Sequence, residues 1–275
     1  MSTFDLTINV DLARKVLTGF IHSEVTRAGF SRVVLGVSGG VDSSLGCFLA
    51  AEALGPENVL AVRMPYKTSS QDSLEHAQMV IDATGVQPLT VPITGVVDAY
   101  LDRFPEANHV RRGNVMARAR MIVLYDQSVE FGALVLGTGN KTELLLGYTT
   151  LYGDSACALN PIGDLYKAQV RQLARAVGVP DIIIEKPPSA DLWQGQTDEA
   201  ELGFTYDQAD RLLYLLVDER YRPEECVRAG FPESLVNEVV EKMRRSHFKR
   251  IMPPIAKLSK RTVGYDFLYL RDWGT

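Results

Sequence analysis

The stretch Val34-Leu-Gly-Val-Ser-Gly-Gly-Val-Asp-Ser-Ser44 decides how the rest of the chain is read. It begins inside an apolar run, Val33 to Val37, breaks into a small glycine-rich turn, and enters an apolar stretch of helical character, Leu45 to Leu54. That order puts a buried strand, a phosphate-sized turn and a helix N-terminus in one line. Backbone N–H groups at such a junction point outward and attract anions. Gly39 and Gly40 carry no Cβ, so the backbone can approach a ligand closely. Ser38, Ser43 and Ser44 add hydroxyl donors. A serine-rich turn that caps an ordinary helix is the plainer alternative.

Asp42 is an anion placed where an anion should bind. Carboxylate and phosphate repel unless a cation lies between them, so Asp42 implies a Mg²⁺ bridging the two. The Gly-x-x-x-x-Gly-Lys-Ser/Thr signature of the Walker loop is absent. The segment resembles instead the Ser-Gly-Gly-x-Asp-Ser loop of the ATP pyrophosphatases, which grip the pyrophosphate of ATP and transfer AMP to a substrate oxygen.

Working outward, apolar runs that read as strands occupy Val33–Val37, Val59–Met64, Pro88–Val91 and Ala133–Leu136. Helical patterns fall between them, at about Ser43–Leu54, Ser70–Thr84 and Asn114–Phe131, with another over Tyr166–Val177 ending at Gly178. The first 30 residues read as one amphipathic helix carrying Leu12, Val16, Phe20 and Ile21. Alternating strands and helices imply an α/β fold, a doubly wound and mainly parallel sheet with helices on both faces. The ATP pyrophosphatase likeness implies five strands. Ligands in such sheets sit at the carboxyl ends of the strands, which puts the loops after Val37, Met64 and Leu136 on one edge. Pro187 to Thr205 is loop-like and acidic, and from about residue 206 the chain becomes helical, with segments Tyr206–Glu219 and Glu233–Arg245. No linker interrupts residues 1–275, which are expected to form a single domain.

With 46% hydrophobic residues a sizeable core is available, and a net charge of −5 argues against general nucleic-acid binding. Three dispersed cysteines without a CxxC suggest a reducing compartment and no zinc site. No apolar run reaches membrane-spanning length and no signal-peptide pattern opens the chain, so a soluble cytoplasmic protein is expected.

A second strand-end loop repeats the grammar of the first. Leu134-Val-Leu-Gly-Thr-Gly-Asn-Lys-Thr-Glu143 turns through Gly137, Thr138 and Gly139 and places Glu143 within one helical turn. Two such loops, each with a carboxylate, could share a metal on ATP phosphates. Glu143 could equally serve only the helix dipole. Asn114, Arg118, Met121 and Tyr125 fall at i, i+4, i+7 and i+11, which reads as one helical stripe.

Further motifs follow in order: Gly113-Asn-Val-Met-Ala-Arg-Ala-Arg-Met121, Pro161-Ile-Gly-Asp-Leu-Tyr-Lys167, Pro188-Ser-Ala-Asp-Leu192 and Gly195-Gln-Thr-Asp-Glu-Ala-Glu-Leu-Gly203. With the two loops, this order closely resembles the ammonia-dependent NAD synthetases, over roughly residues 10 to 255. The resemblance implies that Gly36, Val37, Ser38, Gly39, Gly40, Val41, Asp42, Ser43 and Ser44, together with Thr138, Lys167 and Ser189, hold ATP. It makes Asp42 and Glu143 the metal-binding carboxylates, and Asp42 and Lys167 the residues nearest the chemistry. Arg118 and Lys249 match positions that contact the dinucleotide, and Tyr125 extends the Arg118 stripe. Three positions depart from the family pattern: Leu151 and Phe248 replace a lysine and a histidine, and Ala158 replaces an aspartate. All three touch the dinucleotide side and spare the ATP side.

The implied reaction amidates deamido-NAD. Its nicotinate carboxylate attacks the α-phosphorus of ATP, pyrophosphate leaves, and ammonia displaces AMP from the acyl-adenylate. Ammonia is expected free from solution or from a separate glutaminase, since no glutamine-hydrolysing segment is recognisable in the chain. A homodimer is implied, with the Asn114–Phe131 and Tyr206–Val217 helices as interface or core. The Pro187–Thr205 segment reads as a lid with Trp193 as its cover, or as a surface loop. The rival readings are another amidating or adenylating ATP pyrophosphatase, and a nucleotide-binding protein of this fold without chemistry.

Overall fold

Val33, Val34 and Leu35 are all fully buried, and their side chains alternate between two apolar layers on opposite faces of one sheet. The computed structural model describes residues 5–189, 191, 193 and 195–266. Ala190 and Leu192 of the Pro188–Leu192 motif lie outside them. In chain order the elements are α1 (Val10–Arg27), β1 (Val33–Gly36), α2 (Val41–Leu54), β2 (Val59–Arg63), α3 (Gln71–Thr84), β3 (Gln87–Thr90), α4 (Thr94–Leu101), α5 (His109–Phe131), β4 (Leu134–Val135), α6 (Lys141–Leu146), α7 (Lys167–Val177), α8 (Asp181–Ile184), α9 (Asp198–Leu202), α10 (Tyr206–Leu213), α11 (Pro223–Arg228) and α12 (Glu233–Arg245). A π-turn, Tyr214–Asp218, continues α10.

The strands are parallel and ordered β3-β2-β1-β4. The direction of winding therefore reverses between β1 and β4, and a crevice opens at their carboxyl ends. The expected five strands are corrected to four among the described residues. Beyond β4 the sheet is met only by an isolated parallel bridge, Leu136 to Leu159. Ala158 N–H reaches Val135 O at 2.8 Å and Gly137 N–H reaches Leu159 O at 2.8 Å. Two residues on, Pro161 has no N–H with which to extend a ladder.

One apolar layer joins Val33, Leu35, Val59 and Ala61 to Ile21 and Val25 of α1, Leu45 and Leu49 of α2, and Val170 and Leu173 of α7. The other joins Val34, Leu60, Val62 and Val135 to Val123 and Leu124 of α5. A separate cluster unites Leu146 of α6 and Leu202 of α9 with Leu212 of α10 and Val236 and Val239 of α12. The helical residues after 206 thus build their own core and lean it on α6. Among the residues expected to make α1 amphipathic, Ile21 is buried, whereas Leu12, Val16 and Phe20 face outward. The segment read as a loop contains α9. No described helix is long and apolar enough to cross a membrane.

Leu49 is fully buried between α2 and the sheet. Leu49→Ala should lower unfolding free energy by about 2–5 kcal/mol. Urea denaturation followed by circular dichroism measures this, and a loss below about 1 kcal/mol would show that the layer relaxes around the void.

Candidate active site

At the end of β1 the chain turns through Val37 to Gly40, and Gly40 is the N-cap of α2. Gly39 has φ +79°, and a Cβ there would lie 2.3 Å from the Ser73 carbonyl oxygen and 3.1 Å from His76 Cβ. Only glycine fits this contact with α3. The serine hydroxyls read as ligand donors are largely used within the turn. The Ser43 hydroxyl accepts Ser38 N–H at 3.2 Å and donates to Gly40 O at 3.1 Å. The Ser44 hydroxyl donates to Gly40 O at 2.8 Å. Ser43 and Ser44 are buried and hold the turn in shape, whereas Ser38 is exposed at its rim.

Asp42 stands in the first turn of α2 and Glu143 in the first turn of α6, and one ammonium joins them. Lys167 Nζ donates to Asp42 Oδ2 at 2.5 Å and to Glu143 Oε1 at 3.1 Å. It also lies 4.9 Å from the centroid of the Tyr206 ring. The lysine side chain is 3% exposed, against 17% and 18% for the two carboxylates. Burial alone would pull the ammonium below the ordinary lysine range, but Asp42 and Glu143 outweigh it and hold Lys167 above that range. Burial pushes the Glu143 carboxyl up, and Lys167 opposes the rise.

Glu143 performs both tasks open to it in the sequence. Its Oε2 accepts Asn140 N–H at 3.4 Å, and Asn140 Oδ1 accepts Glu143 N–H at 3.0 Å, a reciprocal cap on α6. Its other oxygen meets Lys167. Asn140 is fully buried, and its amide donates to Asp42 Oδ1 at 2.8 Å. This residue fastens the two carboxylate loops together. Its signal was available in the sequence, as an asparagine three positions before a glutamate at a helix start.

Asp42, Glu143 and Lys167 line a cleft of about 530 Å³ at the carboxyl ends of β1, β2 and β4. Thr138 and Ser189 line it as well, the latter exposed and accepting Asp191 N–H at 3.1 Å. Trp193 lines the mouth, its ring 5.2 Å from that of His109. Among the described residues no three His, Cys, Asp or Glu side chains are grouped to hold a metal. Asp42 and Glu143 already converge on one cation, which is the donor set a hard divalent ion takes when substrate phosphates supply the remaining oxygens.

The family model for NAD synthase matches residues 13–253. An NH(3)-dependent NAD(+) synthetase of Trichlorobacter lovleyi is 60% identical over 269 residues, 98% of each chain. The chain belongs to the NAD synthase family. Two solved structures are also similar. The NH3-dependent NAD synthetase of Campylobacter jejuni, in complex with nitrate, aligns with TM-score 0.78 and 34% identity over 91% of this chain and all of that one. The NMN synthetase of Francisella tularensis aligns with TM-score 0.82 and 28% identity over 92% of this chain and all of that one.

The dinucleotide positions carried over from the NAD synthase family are less gathered than the ATP positions. Lys249 lines the cleft and donates to Gly147 O at 2.7 Å and Thr149 O at 2.6 Å. Arg118 and Tyr125 are exposed and do not line it. Arg118 Nη2 donates to the Leu151 carbonyl at 3.2 Å. The lining positions on α5 include Asn114, Ala117, Met121 and Leu124. At about 100° per residue, Arg118 is turned well away from Ala117, so the stripe straddles the edge of the lining face. Arg120 donates to Met64 O at 3.2 Å and serves the fold. Of the departures, Phe248 is 58% exposed and Ala158 lies on the bridge beside β4. Asp154, Asp198 and Glu201 line the cleft without having been assigned roles from the sequence. Tyr148 and Tyr206 both place hydroxyls 3.1 Å from Asp198 oxygens.

Asn140→Asp keeps a competent helix cap but replaces the donor to Asp42 with a carboxylate. It should abolish detectable ATP binding and lower the melting temperature more than Asn140→Ser does. Calorimetry and thermal melts decide. If the aspartate variant binds as well as wild type, the residue only caps α6.

Proposed function

We propose that this chain is an ammonia-dependent NAD synthetase, amidating deamido-NAD to NAD through an acyl-adenylate and releasing AMP and pyrophosphate. The observation that carries the reading is the meeting of Asp42 and Glu143, from two strand-end loops, on one ammonium beside an N–H-lined turn. Relatives named for this reaction match nearly the whole chain and support it.

A free carboxylate does not yield to ammonia, because oxide is too poor a leaving group; adenylation replaces it with AMP. The turn at Val37–Gly40 and the N-terminus of α2 face the charge that builds on the departing pyrophosphate. Asp42 and Glu143 would hold a Mg²⁺, whose contribution when bound is to neutralise phosphate charge during the displacement. The Asn140 amide and the Lys167 ammonium keep both carboxylates aimed at one point, so little reorganisation is needed when substrate enters. Thr138 and Ser189 contact ATP from the far side of the turn. Lys249, with Arg118 and Tyr125 at the outer rim, takes the dinucleotide. Trp193 and the Pro187–Thr205 segment shield the adenylate from water.

A homodimer fits the surface of α5. Ile122 is 58% exposed and Val129 is 83% exposed, beside Tyr125 and Arg118. The Tyr206–Val217 helix, the other interface candidate, buries Tyr206, Ala209, Leu212, Leu213 and Leu215 within its own core.

ATP–pyrophosphate exchange tests the reaction. Deamido-NAD should stimulate exchange, EDTA should suppress it, and Asp42→Asn should reduce it by about a thousandfold or more, the scale of losing a main electrostatic element. Stimulation by XMP, or by nicotinate mononucleotide in place of deamido-NAD, would assign the chain to another amidating enzyme. Light scattering tests the dimer: the wild type should have twice the chain mass of 30.4 kDa, and Val129→Asp should shift it toward that single-chain mass. A variant that stays dimeric moves the interface off α5.

A further inference from the structure

Several donors compete for the Glu143 carboxylate. An ionised carboxylate offers roughly four lone-pair positions, about two on each oxygen. Asn140 N–H takes one on Oε2, and Lys167 Nζ takes one on Oε1. A third donor stands close by, the Tyr206 hydroxyl, 3.5 Å from Oε1. If it gave its proton to Glu143, Oε1 would have no position left for a metal.

Asp198 stands on the other side of that hydroxyl. Its Oδ2 lies 3.1 Å from the Tyr206 oxygen, nearer than Glu143 Oε1. Burial, then Glu143 and Asp198, push the Tyr206 phenol up, so it keeps the proton and remains a donor. Asp198 opens α9, Tyr206 opens α10, and Glu143 lies in the first turn of α6. One phenolic proton thus stands between two carboxylates from different helices, and a hydroxyl has only one to give.

Asp198 is itself fixed in place. Its N–H donates to Pro188 O at 3.0 Å, and the Tyr148 hydroxyl lies 3.1 Å from its Oδ1. The Tyr148 hydroxyl has an alternative acceptor, Glu201 Oε2, at the same 3.1 Å. Tyr206 has no such spare partner among the described residues: without Asp198, the side-chain acceptor within its reach is Glu143.

We propose that Asp198 is a positioning residue for the reaction: it draws the Tyr206 hydroxyl proton away from Glu143 and so leaves Glu143 Oε1 a lone pair for the Mg²⁺ that accompanies ATP. This rests on the reaction proposed above. Asp198 touches neither Glu143 nor Lys167 by a hydrogen bond and acts on the site through Tyr206 alone. Partners of this kind behind a metal-binding carboxylate set how well it binds, although they hold no metal themselves.

The test is calorimetric titration of the full chain with ATP in Mg²⁺ and with AMP, in a double-mutant cycle. Asp198→Leu is close to aspartate in length and accepts nothing. It should weaken ATP in Mg²⁺ by about tenfold or more, while AMP, which has no pyrophosphate to share with a metal, changes less than about twofold. Tyr206→Phe keeps the ring against Lys167 and removes the contested proton. Alone it should change ATP affinity less than about twofold, and combined with Asp198→Leu it should restore most of the loss. Unchanged ATP affinity in Asp198→Leu, an equal loss for AMP, or a loss that Tyr206→Phe does not restore overturns the assignment and leaves the reaction standing. So does a loss in Tyr206→Phe alone as large as in Asp198→Leu, because a hydrogen bond that only holds the fold is lost equally from either end. A wild-type chain that does not bind ATP removes the reaction, and this assignment with it.

Discussion

A buried ammonium between two carboxylates is the interaction on which the rest of the site depends. Lys167, Asp42 and Glu143 come from three different helix starts, and each is placed by backbone that the sheet determines. Removing one partner of such a buried pair leaves an uncompensated charge, at a penalty of about 3–5 kcal/mol. The cluster therefore does structural duty before any ligand arrives: it locks the β1 and β4 loops together across the reversal in winding. It also fills, with a cation of the chain's own, the position toward which both carboxylates point.

The lysine is itself held from behind. Asp210 of α10 is fully buried, and its Oδ2 accepts the Ala168 N–H at 2.8 Å, one of the unsatisfied donors at the start of α7. Its Oδ1 accepts the Thr142 hydroxyl at 2.5 Å, and the oxygen of that hydroxyl accepts Lys167 N–H at 3.0 Å. Burial pushes the Asp210 carboxyl up to about 6, opposed by these hydrogen bonds. Nearby, Lys141 pairs with Asp218 at 2.9 Å, and Arg250 donates to the helix-end carbonyls of Leu145 and Met243 at 2.8 and 2.7 Å. The helices after residue 206 thus act as a brace on α6 and α7, which explains why a second apolar cluster is built beside the sheet rather than on it.

How much of this was legible in the sequence follows from the range of the forces involved. The four strands start within a residue of their apolar runs, and α12 spans the expected Glu233–Arg245, because local periodicity and end signals specify such elements. The turn at Ser38–Ser44 was legible for the same reason. The α1 face was less so: Leu12, Val16 and Phe20 repeat with helical spacing, yet the sheet takes Ile21 and Val25, and no local pattern says which of two apolar stripes turns inward. The fifth strand failed because a bridge of two residues before Pro161 carries no periodic signal. Lys167 could be read as a cation near ATP, but its burial between Asp42 and Glu143 is a contact across 125 and 24 residues, beyond any pattern in the chain.

The same distinction separates the two halves of the cleft. The half proposed for ATP is made of strand ends and helix starts, where geometry follows directly from the fold and the residues named from the motifs are found together. The half proposed for the dinucleotide is made of the outer edge of α5, the 147–154 turn and the segment after α12, none of which the sheet fixes directly. Leu151, a departure in sequence, enters the structure through its carbonyl, which holds Arg118 by a contact that any residue at that position would offer. Substitution at 151 therefore changes what the side chain presents to a ligand without releasing Arg118. Such sites can change at little expense to the fold, whereas a change at Asp42, Asn140 or Glu143 disturbs the charge balance around a lysine whose side chain is almost fully buried.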